Sequence, residues 1–232
     1  MSLNWQIIDD TISQNSLLNS AFYVAWSKGQ LTVEDLQYYA GQYYALESTF
    51  PRLISSVHAS CEDPEMRQVL LENLVDEERG NENHRELWLR FAEGLGLDRE
   101  QVMHAERNEA TQACIDTLMA LAKDPNPLVG LSALYAYESQ LPAVSQSKID
   151  GLRKFYGIDD EKTLSFFTVH KEADVWHSEA EKKMIEKLGG DQTTVNNAAK
   201  ASAQALLHFL AGVDARTRLL RTCETDMNEC MH

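Results

Sequence analysis

Three side chains of metal-binding type stand on one stripe of Phe167-Thr168-Val169-His170-Lys171-Glu172-Ala173-Asp174-Val175-Trp176-His177. His170, Asp174 and His177 are spaced i, i+4 and i+7, so a helix stacks them on one face over two turns. On a surface they would be an ordinary solvated stripe; buried without a partner they would be costly. Phe166, Phe167, Val169, Ala173 and Trp176 crowd the same segment, so its polar face need not be its outer face. Glu77 and His84, seven residues apart, share a face if their segment is one helix. Gly80 between them costs such a helix roughly 1 kcal/mol relative to alanine and marks close packing or a bend. Glu138 is a lone carboxylate in the apolar run Ala133-Leu134-Tyr135-Ala136-Tyr137-Glu138-Ser139-Gln140-Leu141-Pro142, where burial demands a partner for it.

Each of these groups alone reads as structural. Together they give three histidines and three carboxylates from three segments. Mixed imidazole and carboxylate ligation suits iron or manganese better than zinc or copper(I), which favour thiolate-rich sites. Helix bundles build two-ion carboxylate sites from inward-facing side chains of this kind, and Asp174-x-x-His177 is a shorter version of their Glu-x-x-His element. The spacing therefore points to two metal ions, with three carboxylates cancelling most of the charge of a divalent pair. His58, His104, His208 and His232 read as structural or surface residues.

The elements that must carry these groups are helices. Thr32-x-x-Asp35 resembles a capping box and opens a long apolar-aromatic segment to about Cys61, kinked at Pro51. Asp63-Pro64 is an N-cap followed by proline at the first helical position, and its helix is expected to run to Gly94 or Gly96. Asn126-Pro127 repeats that signal and leads towards Tyr156, with a bend or break at Pro142. Asp159 or Asp160 opens a helix that ends at Gly189-Gly190. Residues 4–18, 107–123 and 191–220 complete the set. No period-two alternation of β-branched residues argues for strands. The expectation is an all-α bundle of about seven or eight helices, one domain over residues 1–222, and a flexible tail over 223–232.

The chain of 232 residues has 44% hydrophobic residues and a net charge of -15. That charge disfavours nucleic acid and anionic membranes as partners. No stretch approaches the ~20 apolar residues of a membrane span, and the first ten residues lack a signal-peptide pattern. Cys61, Cys114, Cys223 and Cys230 are scattered and read as reduced thiols of a cytoplasmic protein. A homodimer is the expectation from base rates.

Several stretches carry a family resemblance. They are Phe22-Tyr23-Val24-Ala25-Trp26-Ser27-Lys28-Gly29, Asp76-Glu77-Glu78, Asn83-His84, Tyr135-Ala136-Tyr137-Glu138-Ser139-Gln140, Ser147-Lys148-Ile149-Asp150-Gly151 and Glu172-Ala173-Asp174-Val175. In order and spacing, from about residue 15 to about residue 190, the chain resembles the chlamydial protein associating with death domains and its bacterial relatives. The resemblance implies a heme-oxygenase-like helical fold, distantly similar to pyrroloquinoline quinone synthase C and to TenA-type thiaminases. It implies a dioxygen-dependent oxygenase with two metal ions, Fe/Fe or Fe/Mn, and an external reductant. It further implies self-sacrificing p-aminobenzoate synthesis for folate, the aromatic ring coming from a tyrosine of the protein, with no external organic substrate.

By motif, the resemblance carries the metal-ligand roles onto Glu77, His84, Glu138, His170, Asp174 and His177. It places the sacrificed ring at Tyr23, the amino donor at Lys148, and redox-active aromatics at Tyr39 and Tyr137. Some relatives carry tyrosine where this chain has Phe166. Phenylalanine cannot form a phenoxyl radical, which puts a relay through that position in question. Two other readings compete: an oxidase of the same fold acting on an external small molecule, and a non-enzymatic interaction protein. Thiaminase activity lacks a sequence signature for an activated cysteine, and heme oxygenase chemistry does not need a metal-ligand trio.

Overall fold

A computed structural model describes residues 3–229, which are all-helical, with no strand among them. In chain order the helices are α1 Trp5–Gln14, α2 Ala21–Ser27, α3 Val33–Glu47, α4 Phe50–Ser60, α5 Pro64–Glu78 and α6 His84–Gly94. They continue as α7 Arg99–Met103, α8 Glu109–Ala122, α9 Pro127–Glu138, α10 Leu141–Tyr156, α11 Glu161–Leu188 and α12 Gln192–Glu229. The expected segments are present, and three of them are subdivided. Pro51 sits in the first turn of a new helix, α4, rather than kinking an old one, and Pro142 sits in the first turn of α10, at the break expected there. The third break corrects the single helix expected from Asp63 to Gly94. α5 stops at Glu78, Arg79 turns extended, Gly80 takes φ +84°, and Asn83 caps α6 through its side chain. A Cβ at Gly80 would meet nothing within 4 Å, so this glycine serves its backbone angle and not close packing. The short helices α2 and α7 carry no periodicity long enough to be read in advance.

The capping chemistry follows the sequence. Thr32 and Asp35 form the reciprocal box at α3, Asp63 accepts from two backbone amides at α5, and Asn126 and Asp160 cap α9 and α11. α9 is buried nearly all round, packed between α8, α11 and α12. It is the central post of the bundle, and α6, α10 and α11 close the other side. The expected tail over 223–232 begins within α12, and its last residues, Cys230 and His232 among them, lie outside the described residues. No helix among the described residues is long and apolar enough to cross a membrane.

One close approach fixes α2 against α10. Gly151 faces the indole of the fully buried Trp26, and a Cβ there would collide with its Nε1 and Cδ1. Tyr23 lies one turn before Trp26 and Lys148 one turn before Gly151, so this contact sets the separation of the two candidate reactive side chains. We expect Gly151→Ala to destabilise the protein by about 1–3 kcal/mol, read as a lowered denaturation midpoint; an unchanged midpoint would show that the two helices can part freely.

Candidate metal centre

The polar stripe of α11 points inward. His170, Asp174, His177 and also Glu181 are at most 3% exposed, while Val169, Val175 and Trp176 of the same helix are 39–53% exposed. The helix thus turns its charges to the core and part of its apolar surface outward, the reverse of an ordinary surface helix. Glu138, the last residue of α9, comes in from one side. Glu77 and His84 come in from the other, brought together across the turn at Arg79–Asn83 and not along one helix face. Glu77 Oε1 lies 2.8 Å from His84 Nδ1, close but without the angle of a hydrogen bond.

The atoms form two clusters. Glu47, His84 and His170 each offer an atom within 4.8 Å of the others' atoms, and so do Glu138, Asp174 and His177. Five of the six expected ligands fall in these two groups. Glu77 lies beside the first through its contact with His84.

Two tests on the donor set agree with cation binding. The first is tautomer. His170 Nδ1 lies 2.7 Å from the Phe166 carbonyl, to which it donates, leaving the Nε2 lone pair free. His177 Nε2 lies 3.3 Å from Asp76 Oδ2, leaving Nδ1 facing Glu138 and Asp174 without a hydrogen bond. The second is orphaned oxygen. Glu47 Oε1, Glu77 Oε2, Glu138 Oε2, Asp174 Oδ2 and both Glu181 oxygens are buried with no donor. Among the described residues Lys148 is the one buried lysine or arginine, and its amine is bonded to Tyr39. A set of five carboxylates and three imidazoles needs cations that the side chains do not supply.

The titration behaviour states the same need. Burial pushes Glu47 up to about 8, helped by Glu77, and pushes Asp174 up to about 7. Burial and the charge of Glu138 hold Glu181 well above the usual carboxylate range. Burial opposes charge on His84 and His177, yet the surrounding carboxylates lift them to about 9 and about 11. Burial and the neighbouring His84 hold His170 neutral. Protons on imidazoles here stand where cations belong.

Beside this cluster lies a dry aromatic pocket. Tyr23 Oη is 3.3 Å from Tyr39 Oη, Lys148 Nζ donates to Tyr39 Oη, and the Tyr43 and Tyr137 hydroxyls are 2.7 Å apart. Lys148 Nζ sits 5.6 Å from the centre of the Tyr23 ring. Burial holds the Tyr23, Tyr39, Tyr43 and Tyr137 phenols protonated far above their ordinary range, and lowers Lys148 to about 7. Phe166 stacks on His170 at 3.9 Å, between that imidazole and the Trp88 and Tyr43 rings. His104 is exposed, as expected, and pairs with Glu100. Glu47, Glu181, Tyr43, Asn73 and Asp76 were not singled out from the sequence. Glu181 continues the α11 stripe at i+4 from His177, Glu47 is a carboxylate in an apolar run like Glu138, and Asn73 donates to Glu138.

The profile of a family described as iron-containing redox enzyme matches residues 37–211. The 4-aminobenzoate synthase of Chlamydia muridarum is 41% identical, covering 90% of each chain. That of Nitrosomonas europaea is 36% identical, over 98% of this chain and 97% of its own. A pyrroloquinoline-quinone synthase of Acinetobacter calcoaceticus is 27% identical over 63% of this chain and 59% of its own. Among solved structures, a TenA homolog from Pseudomonas syringae superposes with a TM-score of 0.79 at 15% identity, covering 92% of this chain and 94% of that one. Heme oxygenase-1 of Synechocystis superposes at 0.60 with 14% identity, covering 98% and 96%. These two likenesses establish the heme-oxygenase-like fold.

Metal binding should stabilise the chain. Iron(II) or manganese(II) added without oxygen is expected to raise the thermal midpoint, by the equivalent of about 2.7 kcal/mol at a hundredfold excess over Kd, and a chelator to reverse it. A midpoint indifferent to both ions would remove the metal reading of the site.

Proposed function

Because the chain belongs to the family of iron-containing redox enzymes, we propose that it is a 4-aminobenzoate synthase that takes the aromatic ring from its own Tyr23 and the nitrogen from Lys148. The observation that carries this reading is the sealed pocket in which Tyr23, Tyr39 and Lys148 touch in sequence beside two clusters of metal-ligand type. In this reading Glu77, His84, Glu138, His170, Asp174 and His177 hold two metal ions, iron with iron or iron with manganese. With dioxygen and a reductant, these would supply the oxidising equivalents that acid-base side chains lack.

The required changes are legible in the molecules. A tyrosine side chain and 4-aminobenzoate share a para-substituted ring bearing one carbon. The Cα–Cβ bond must break, the methylene must become a carboxylate, and the phenol oxygen must give way to nitrogen. The protein's own groups position these events. Tyr39 fixes the Tyr23 hydroxyl by its 3.3 Å contact and binds the Lys148 amine at the same oxygen. That shared partner holds the nitrogen 5.6 Å from the centre of the ring it must reach. Burial keeps water from both. It also keeps the Tyr23 phenol protonated and sheds the proton of Lys148 near neutral pH, leaving a nitrogen lone pair available. Tyr43 and Tyr137, joined at 2.7 Å, lie between this pocket and the clusters and are placed to pass electrons. An open cleft of about 720 Å³ lined by Asp76, Arg79, Gly80 and His84 gives small molecules an approach from solvent to the other side. The product would serve folate synthesis.

Peptide mass spectrometry after incubation with iron, manganese, reductant and dioxygen tests the source of the ring. We expect loss of the Tyr23 side chain, matched by at most one 4-aminobenzoate per chain, and no product from Tyr23→Phe with metal content unchanged. Normal product from that variant would overturn self-sacrifice and favour an oxidase acting on an external substrate.

The amine supplies a second prediction. Burial lowers Lys148 while Glu47 pulls the other way, so below about pH 7 the amine is protonated and has no lone pair to give. Product per chain should rise with pH through about 7, and Lys148→Arg, which stays charged, should yield none at any pH. A yield that falls across that interval would exclude Lys148 as donor.

A further inference from the structure

Glu47 is the last residue of α3 and is 3% exposed. Its Oε1 has no hydrogen-bond donor, and one of its oxygens lies within 4.8 Å of ring nitrogens of both His84 and His170. Two atoms bound to one ion at about 2.2 Å each are at most about 4.4 Å apart. The observed trio therefore closes on a single ion with small side-chain movements. From this geometry we propose that Glu47 is a seventh metal ligand, which completes the His84/His170 site and fastens the tyrosine-bearing helix α3 to the ion. The inference rests on the two-ion reading above.

Three further observations support it. The first is the engagement of Glu77. Its Oε1 is 2.8 Å from His84 Nδ1, a close carboxylate–imidazole contact without hydrogen-bond angle that occupies this oxygen. With one Glu77 oxygen so placed, Glu47 is the carboxylate whose atoms share a common centre with both imidazoles.

The second is charge. Glu77, Glu138 and Asp174 carry three negative charges against the four positive charges of two divalent ions. Glu47, whose oxygen shares a centre with His84 and His170, supplies the fourth. In a site this dry, a net charge of zero is far less costly than a net charge of one.

The third is leverage. Glu47, Tyr43 and Tyr39 are spaced i, i-4 and i-8 on α3, one face over a little more than two turns. Tyr43 meets Tyr137, and Tyr39 meets both Tyr23 and Lys148. A metal bond at Glu47 would thus fix the distance from the ion to every tyrosine on that face. α9 likewise carries Glu138 beside Tyr137, but the tyrosine that touches Tyr23 and Lys148 is on α3, so Glu47 ties that tyrosine to the His84/His170 cluster through a single helix.

The test is anaerobic manganese(II) titration of apoprotein, followed by the paramagnetic signal of free manganese and by metal analysis after desalting. Wild type, Glu47→Gln and Glu138→Gln are compared, with circular dichroism as a check on helicity. Wild type should bind two ions. Glu47→Gln should retain one and bind the other at least about 10-fold more weakly, with an altered signal from the remaining bound ion. Glu138→Gln should weaken the opposite ion and leave the Glu47 site filled. Two ions bound by Glu47→Gln with wild-type affinities would overturn the proposal and leave the two-ion reading standing. No binding by wild type would overturn both. Should Glu47→Gln fail to fold, a crystal structure of the manganese-loaded wild type decides: a Glu47 oxygen about 2.2 Å from one ion supports the proposal, and one beyond hydrogen-bond distance from both ions ends it.

Discussion

The constraint on which this structure turns is the burial of five carboxylates and three imidazoles in one helical bundle without a matching cation. Glu47, Glu77, Glu138, Asp174 and Glu181 are each at most 3% exposed, and orphaned oxygens remain on all five. Protein interiors accept such groups when something positive sits among them. In the absence of ions the histidines must take up protons and two or more of the acids must keep theirs, a compromise that leaves donors missing throughout the site. Two divalent ions would relieve every one of these penalties together. The folding stability of the bundle and the occupancy of the site are therefore coupled quantities.

Much else is arranged to pay for that arrangement. α11 gives its inner face to the charges, which displaces Val169, Val175 and Trp176 towards solvent. Beside the site, Phe22, Trp26, Tyr39, Trp88, Phe91, Phe166 and Phe167 pack in a continuous aromatic wall, some pairs edge to face and others tilted. The wall keeps water away from Lys148, which is why its amine loses its proton near neutrality. The same rings that stabilise the core thus set the charge state of the buried Lys148 amine.

The sequence displayed the part of this that follows from local spacing. The α11 trio is legible because three ligand-type residues share a helical face, and Glu138 because a carboxylate in an apolar run must be answered by something. The caps at Thr32, Asp63, Asn126 and Asp160 are legible because their chemistry is confined to one turn. Tyr23 and Lys148 were reached through resemblance; their own surroundings in the chain do not separate them from a packing tyrosine and a surface lysine. Glu47 carries the same signal as Glu138, but it stands in a long apolar-aromatic segment just before Pro51, with no second ligand-type residue on its helical face to mark it. Glu181 extends a stripe that looks complete at His177. The Glu77–His84 pair was read on one helix, whereas a turn with Gly80 at positive φ joins them. Spacing alone does not reveal that, since a seven-residue separation suits either geometry.

What distinguishes the centre from a simple two-ion site is that its two halves are built on different helices and joined at a few points. α9 and α11 supply one cluster, and α6 with α11 and α3 the other. The reactive pocket belongs to α2, α3 and α10. α3 is common to both, and Gly151 against Trp26 sets how closely α2 can approach α10. Under the proposed reaction, the oxidant and the ring it consumes would have to be held at a fixed separation, because misplacement by an ångström is enough to cost a reaction most of its rate. A short, doubly anchored helix achieves this with few parts. Its N-terminus is locked by the Thr32–Asp35 box, its middle by the Tyr39 and Tyr43 hydroxyls, and its last residue reaches the histidine pair. Under that reaction the rigidity of α3 would bear directly on which side chain is oxidised.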